Sequence, residues 1–308
     1  MIAEQPAGVT LTTLYERELA AALDALQHKD TEALHDFRIA LRRLQVLLRQ
    51  LAQPDAQRKA VLRRIKALMT QSNRGRDAQV MLAWLEREWP HLDEREQSGA
   101  QRWQRSLKRM QRHRPLKRKQ TIAVLKSMVP PLAKLAPPEG MGPLPLGVLV
   151  ARRLEQQARD LVSLMNDEGA AGQLHFIRLK AKSVRYLLLP FCDALSACAD
   201  AQKEMQQLQN HLGDWHDSVL RQQSLINHLR TEIIKVSAET NAEEALNRLA
   251  DPHSPLPGLM ALVRFNVLAQ QRMVRTITRN YLRDGGSHLM GRLEQAIYAI
   301  RRAATPVG

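Results

Sequence analysis

Apolar residues recur at three- and four-residue spacing along almost the whole chain, as in Leu34, Phe37, Leu41, Leu44, Leu48 and Leu51, while alternating apolar-polar runs are nearly absent. A backbone turning once every 3.6 residues brings such positions onto one face, whereas a strand needs a period of two. The chain is therefore expected to be all α. Helix-breaking clusters divide it at Gln53-Pro54-Asp55, Asn73-Arg74-Gly75, Trp89-Pro90-His91, 136–140, 169–172, Leu212-Gly213-Asp214, 251–258 and Asp284-Gly285-Gly286, leaving room for about eight to ten helices. The densest break, Ala136 to Gly147, holds four prolines and three glycines. It is taken as the boundary between two halves, 1–140 and 141–308.

The halves repeat one another. Leu34-His35-Asp36-Phe37-Arg38-Ile39-Ala40-Leu41-Arg42, continuing to Leu47-Leu48, lies over Leu174-His175-Phe176-Ile177-Arg178-Leu179-Lys180-Ala181-Lys182, continuing to Leu187-Leu188, at an offset of 140 residues. At the same offset, Gly75-Arg76-Asp77 lies over Trp215-His216-Asp217, so the His-to-Asp separation is 42 residues in both halves. A spacing shared across two helical patterns points to a duplicated structural unit.

Projected at about 100° per residue, His35, Arg38, Arg42 and Arg49 form one stripe, flanked on one side by Phe37, Leu41, Leu44 and Leu48 and on the other by Ile39 and Val46. The second copy places His175, Arg178, Lys182 and Arg185 in the same way, between Ile177, Val184 and Leu188 and the pair Leu179 and Tyr186. An ordinary amphipathic helix puts its cations opposite the apolar face. One such helix reads most simply as a solvated basic face, but its repetition favours a groove or pore that receives anionic charge. Cations held beside buried surface repel one another and lose hydration unless an anion compensates them.

Overall charge agrees with that expectation. Forty-six Lys and Arg stand against 31 Asp and Glu, a net of +15, which suits nucleic acid, an anionic membrane or polyphosphate. Of the 46 cations 34 are Arg, whose guanidinium fork matches paired phosphate oxygens. A GC-rich coding sequence would produce the same bias. Twelve aromatic residues are a poor supply of stacking platforms, so phosphates rather than bases are the expected handle. Two cysteines exclude a secreted disulfide framework, and neither a signal segment nor an apolar run of spanning length is present. A soluble, cytoplasmic protein is expected.

Two further segments extend the basic surface. Residues 101–128 hold ten Lys and Arg and no acid; Trp103, Leu107 and Met110 mark a buried edge, with Arg102, Arg105, Lys108, Arg109 and Arg112 opposite. In 259–283, Arg264, Arg272, Arg275, Arg279 and Arg283 gather on one face. The acids are concentrated elsewhere: 200–251 carries nine Asp and Glu against five Lys and Arg, a segment expected to turn away from a polyanion. Asp77 and Asp217 each follow a presumed turn, where an N-cap belongs; the alternative is that each carboxylate orients a cation of the stripe.

The two His boxes, of the form H-x-x-[RK]-x-x-x-[RK] on a helix followed by a turn ending in Asp, resemble those of the CHAD family, the conserved histidine α-helical domain. The resemblance spans essentially the whole chain. It implies two pseudo-symmetric antiparallel four-helix bundles arranged around a basic central channel, and binding of inorganic polyphosphate without catalysis. It also implies that His35, Arg38, Arg42, His175, Arg178 and Lys182 line the channel, with association at polyphosphate granules as a corollary. Asn73 departs from the family's usual Gly, which Gly213 keeps, and Ser183 stands where the first copy has Arg43. Family members often carry a triphosphatase domain ahead of this one; a free-standing binding domain is expected here.

An enzyme reading finds little support. His211, Asp214, His216 and Asp217 form the one compact His/Asp cluster, and no H-E-x-x-H, C-x-x-C or phosphate-binding Gly-rich loop occurs. No metal and no cofactor is expected, although phosphorylation of His35 or His175, or metal binding by the pair, stays open. Binding of RNA or DNA through the phosphate backbone is the second reading, against which stand the few aromatics and the lack of a base-reading motif.

Overall fold

The structure is a computed structural model that describes residues 10–28, 31–112, 117–137, 145–237, 243–244, 247, 251 and 253–305, with backbone alone for Thr31, Asn73, Arg74, Arg76 and Arg112. The described residues form helices and no strand. In chain order these are α1 (Leu11–Ala25), α2 (Thr31–Leu51), α3 (Ala56–Glu88), α4 (Glu94–Arg112), α5 (Arg118–Lys126), α6 (Val129–Ala133), α7 (Leu146–Met165), α8 (Leu174–Leu188), α9 (Ser196–Ser237), α10 (Leu256–Ile277) and α11 (Ser287–Ala304).

Local chemistry sets several of the starts. The Thr10 hydroxyl accepts from Thr13 N at 3.2 Å ahead of α1, and Asp55 Oδ1 accepts from Arg58 N at 2.6 Å at the head of α3. Asp93 and Glu96 bond reciprocally at α4, at 2.7 and 3.1 Å, forming a capping box. Before α11 the chain turns through Gly285 and Gly286, whose φ values of +59° and +76° favour glycine. The breaks expected at residues 53–55, 89–91, 169–172 and 284–286 all lie between helices. Helix also stops at Ala133 and resumes at Leu146, with 138–144 outside the described residues.

Two expected breaks are absent. Asn73-Arg74-Gly75 and Leu212-Gly213-Asp214 lie inside α3 and α9, helices of 33 and 42 residues. One glycine in a helix costs about 1 kcal/mol relative to alanine. Ile65, Leu68, Ala78 and Leu85 are buried on either side of the first site, and Leu208, Leu212 and Leu225 about the second, so continuing packing outweighs that cost. Asp77 and Asp217 therefore stand in helix interiors, with no helix start to cap.

The chain divides by compactness into two units that each draw on both repeat halves. The first comprises Met1–Ser72, Leu116–Leu212 and Ile277–Gly308, and the second Asn73–Pro115 and Gly213–Thr276. This partition does not follow the 1–140 and 141–308 halves of the repeat, because α3 and α9 are too long for one bundle and contribute to both units.

In the first unit α2 packs against α1, α7 and α8, and α7 against α8 and α11. Phe37, Leu41, Leu44 and Leu48 of α2 and Ile177, Val184 and Leu188 of α8 are fully buried; on the opposite flanks Val46 and Tyr186 are buried, but Ile39 is only half-buried and Leu179 is exposed, so the stripes are not bordered by buried surface along their whole length on both sides. In the second unit Trp84 and Trp103 meet edge to face with centroids 6.0 Å apart, and the Trp103 indole donates to Ser224 Oγ at 3.1 Å. There α4 and α10 touch through backbone: a Cβ on Gly258 would lie 1.8 Å from the Glu96 carbonyl oxygen.

Helix α4 has the expected buried edge, but its cations are not wholly unbalanced: Arg102 pairs with Glu232 of α9 at 3.2 Å. The acidic segment thus supplies at least one counter-charge to the basic one. The run 259–283 is not one α-helix either. A π turn over Thr278–Leu282 follows α10, so Arg279 lies within that turn and Arg283 beyond it, and a projection at about 100° per residue does not hold across the segment.

Candidate functional site

Both repeated stripes lie in the first unit, on helices that pack against each other. Helix α8 carries Arg178, Lys180, Lys182 and Arg185 and no acid; α2 has two acids, Glu32 and Asp36, both exposed. Lys182 shows how closely the stripes approach. Burial, followed by Arg178, Arg42, Arg185 and Arg38, lowers its pKa to about 7 from an ordinary 10.5, so four guanidinium groups add to the effect of burial. Two of those neighbours come from α2 and two from α8. The matched positions Arg42 and Lys182, which the offset pairs in sequence, are also neighbours in space.

The rest of the seam is built from packing partners. Arg38 is buried and its Nη1 donates to Ser72 Oγ at 3.4 Å. Arg185 donates through Nη1 to Gln209 Oε1 of α9 at 2.7 Å, its guanidinium lying 5.2 Å from the Tyr186 ring centroid. Burial lowers the Arg185 pKa, and Arg43 acts in the same direction. Arg43 Nη1 approaches Glu18 Oε2 at 3.9 Å, and burial, opposed by Arg43 and then Arg17, raises the pKa of that carboxyl. Three buried donors in this group have no hydrogen-bond acceptor among the described residues: Arg43 Nε, Arg185 Nε and Gln209 Nε2. A buried donor without an acceptor carries a desolvation cost that folding leaves uncompensated.

Of the sequence-proposed residues, Arg38, Arg42, Arg178, Lys182 and Arg185 are brought together. His35 is half-buried on α2, while His175 is exposed and stands edge to face with Phe176, itself exposed, at 5.8 Å. Arg49 is exposed in the last turn of α2. Arg105 and Arg109 are exposed on α4 in the second unit, and the side chain of Arg112 lies outside the described residues. Arg272 and Arg275 also belong to the second unit, where Arg275 joins Trp215, Ile226, Arg230 and Gln270 around a cavity of about 740 Å³. Arg279 falls in the π turn of the first unit and donates to Asn280 Oδ1 at 3.3 Å.

Asp217 serves a cation outside the stripes. Arg221 is buried, donates to Asn266 Oδ1 at 2.7 Å and lies 4.3 Å over the Trp84 ring centroid. Its burial depresses the pKa and Asp217 opposes that most strongly, so the carboxylate supports a structural arginine of the second unit. Asp77 is half-buried within α3. Sequence reasoning left out Arg43 and Gln209. The Arg42-Arg43 doublet was a signal for the former, whereas Gln209 is recruited by packing alone.

The His/Asp cluster around residue 211 is otherwise engaged. His211 Nδ1 lies 2.9 Å from Gln207 O and 3.0 Å from the Tyr281 hydroxyl, and His216 Nδ1 lies 3.7 Å from Asp217. No group of three or more His, Cys, Asp or Glu among the described residues is arranged to hold a metal ion. Burial raises the Cys192 and Cys198 pKa values to about 11 and about 12, leaving both as thiols at neutral pH. No described helix is long and apolar enough to cross a membrane.

Lys182 makes the seam a stability liability with a defined pH range. Its folded pKa lies below its unfolded one, so its charge opposes folding in full below pH 7, and that penalty is relieved as pH rises from about 7 towards 10.5. Lys182→Met is expected to stabilise the ligand-free protein by about 2 kcal/mol at pH 6 and by less at pH 9. Urea unfolding at the two pH values checks this; an equal or reversed difference means that the lysine is not depressed.

The family model for the CHAD domain matches residues 11–225. Among solved structures, the fold is similar to the crystal structure of the CHAD domain from the plant Ricinus communis, with a TM-score of 0.56, 18% identity, and 91% of this chain and 94% of that one covered. It is also similar to PptA from Streptomyces chartreusis, with a TM-score of 0.55, 14% identity and coverage of 88% and 98%. Identities this low speak for the fold alone. No curated protein matches the chain in sequence.

Proposed function

Because this chain belongs to the CHAD domain family, we propose that it binds inorganic polyphosphate along the facing stripes of α2 and α8, without catalysis. The proposed channel is the seam where Arg38, Arg42, Arg178, Lys182 and Arg185 converge. The observation that carries the reading is the packing of α2 against α8, which brings Arg38 and Arg42 of one stripe to bear on Lys182 alongside Arg178 and Arg185 of the other. Nothing in folding rewards such a cluster; a flexible chain bearing a charge on every phosphoryl unit does. The donors on Arg43, Arg185 and Gln209 lie just beneath that seam, and a small shift of these side chains would let the chain's oxygens accept from them. A pseudo-symmetric pair of helical bundles, a cytoplasmic location and association with polyphosphate granules belong to the same reading.

Nucleic acid shares the regular spacing of phosphates, and competition distinguishes the two. Polyphosphate is expected to bind in titration calorimetry with an affinity that falls steeply with salt, through counterion release. Duplex DNA or RNA at equal phosphate concentration is expected to leave that binding in place. Displacement by either would transfer the function to a nucleic-acid backbone, and steady release of orthophosphate from the bound polymer would make the protein an enzyme.

A further inference from the structure

The cavity of about 740 Å³ is a long cleft between α9 and α10 that belongs wholly to the second unit. Its α9 wall takes Trp215, Val219, Gln222, Ile226 and Arg230, spaced by three or four residues, so one helix face is followed for about four turns, or about 22 Å. Hydrogen bonds tie that wall to the other. Buried Asn266 of α10 donates to Ser218 O at 3.0 Å and to Gln222 Oε1 at 2.7 Å, and Gln270 Nε2 donates to Ser218 Oγ at 3.3 Å. Residue 222 thus meets 266 and residue 218 meets 270, which makes the helices antiparallel. Arg275 accordingly stands at the Trp215 end of the cleft and Arg230 at the other.

The lining is apolar in the middle and cationic at both ends. Trp215, Val219, Ile226 and Val274 are half-buried, whereas Arg230 and Arg275 are exposed and neither forms a hydrogen bond or ion pair among the described residues. No Asp or Glu lines the cleft. We propose that it is a docking site for an amphipathic helix of a partner protein, about four turns long, with an apolar stripe and a carboxylate near each end. A groove whose side chains repeat every three or four residues receives the ridge of a third helix, as neighbouring helices do within a bundle. Polyphosphate has no apolar surface to bury there. A second copy of this chain would bring the same two arginines and no acid along its cleft, so two-fold pairing would gather guanidinium groups without carboxylates. Two carboxylates about 22 Å apart on one helix answer both arginines at once. The proposal does not depend on the seam between α2 and α8, none of whose residues lines the cleft.

The test uses the full chain and a labelled helix-forming peptide of about 18 residues, with leucines at three- and four-residue spacing and two glutamates about four turns apart, followed by fluorescence anisotropy. Arg230→Glu combined with Arg275→Glu is expected to weaken binding at least about tenfold, and to transfer the preference to a peptide with lysines in place of the glutamates. The same change in net charge at exposed Arg152 and Arg283 is expected to matter less than about threefold. Ile226→Asp, checked for native helix content, is expected to weaken both peptides at least about tenfold through the apolar lining. No binding of the glutamate peptide, equal losses from the two double reversals, or an unchanged preference overturns the proposal. So does a dimer that Ile226→Asp dissociates, which assigns the cleft to a second copy, and so does displacement of the peptide by polyphosphate, which assigns it to the polymer.

Discussion

Glutamate at both Arg42 and Arg178 is expected to weaken polyphosphate binding by about a hundredfold or more near 150 mM salt, measured by titration calorimetry. Each arginine supplies a charge-assisted contact worth about 1.5–3 kcal/mol, and the new carboxylates add repulsion along the same path. One variant residue comes from each helix, so the effect reports on the facing arrangement rather than on one stripe. Both side chains are half-buried, which makes them better choices than Arg38, whose buried position would confuse lost binding with lost folding. The matched control reverses Arg152 and Arg283, both exposed, and is expected to change affinity less than about threefold. Equal losses from the two pairs would show a diffuse basic surface in place of a seam.

Gly258→Ala is expected to destabilise the second unit by about 3 kcal/mol or more, read from urea unfolding. Helix propensity predicts the opposite sign, since alanine in a helix interior is favoured over glycine by about 1 kcal/mol. Contact decides, because the added methyl would meet the Glu96 carbonyl oxygen at 1.8 Å and its carbon at 2.8 Å, and both are backbone atoms. Relief requires α4 and α10 to separate, which loosens Leu107, Leu259 and Leu262 in the buried cluster they share. Gly213→Ala in α9 is the counterpart: nothing lies within 4 Å of its Cβ position, and a gain of about 1 kcal/mol is expected. A stabilised Gly258→Ala variant would mean that the two helices do not approach as closely as described.

The stripes were legible because they depend on rotation about a single helix axis. His35, Arg38 and Arg42 share a face whatever surrounds α2, and the apolar flanks predicted beside them include the buried Phe37, Leu41 and Leu44. The same reasoning misplaced two turns. Gly75 and Gly213 resemble helix stops when only neighbours in sequence are weighed, but burial of residues on both sides carries α3 and α9 through them. With those turns went the capping role for Asp77 and Asp217. The charge segregation was half right, since Glu232 of the acidic segment pairs with Arg102 of the basic one.

By itself, then, the amino-acid sequence determined that the chain is helical, that its two halves carry one pattern, and which cations share a face within each helix. These follow from backbone geometry acting over a few residues. Tertiary structure alone decided that the two stripes meet, that guanidinium groups from both act on Lys182, and that Arg43, Arg185 and Gln209 hold buried donors without acceptors among the described residues. Those properties depend on groups that are distant in sequence and close in space. Periodicity carries no record of them, because they arise only when burial summed over the whole unit selects one packing of the helices.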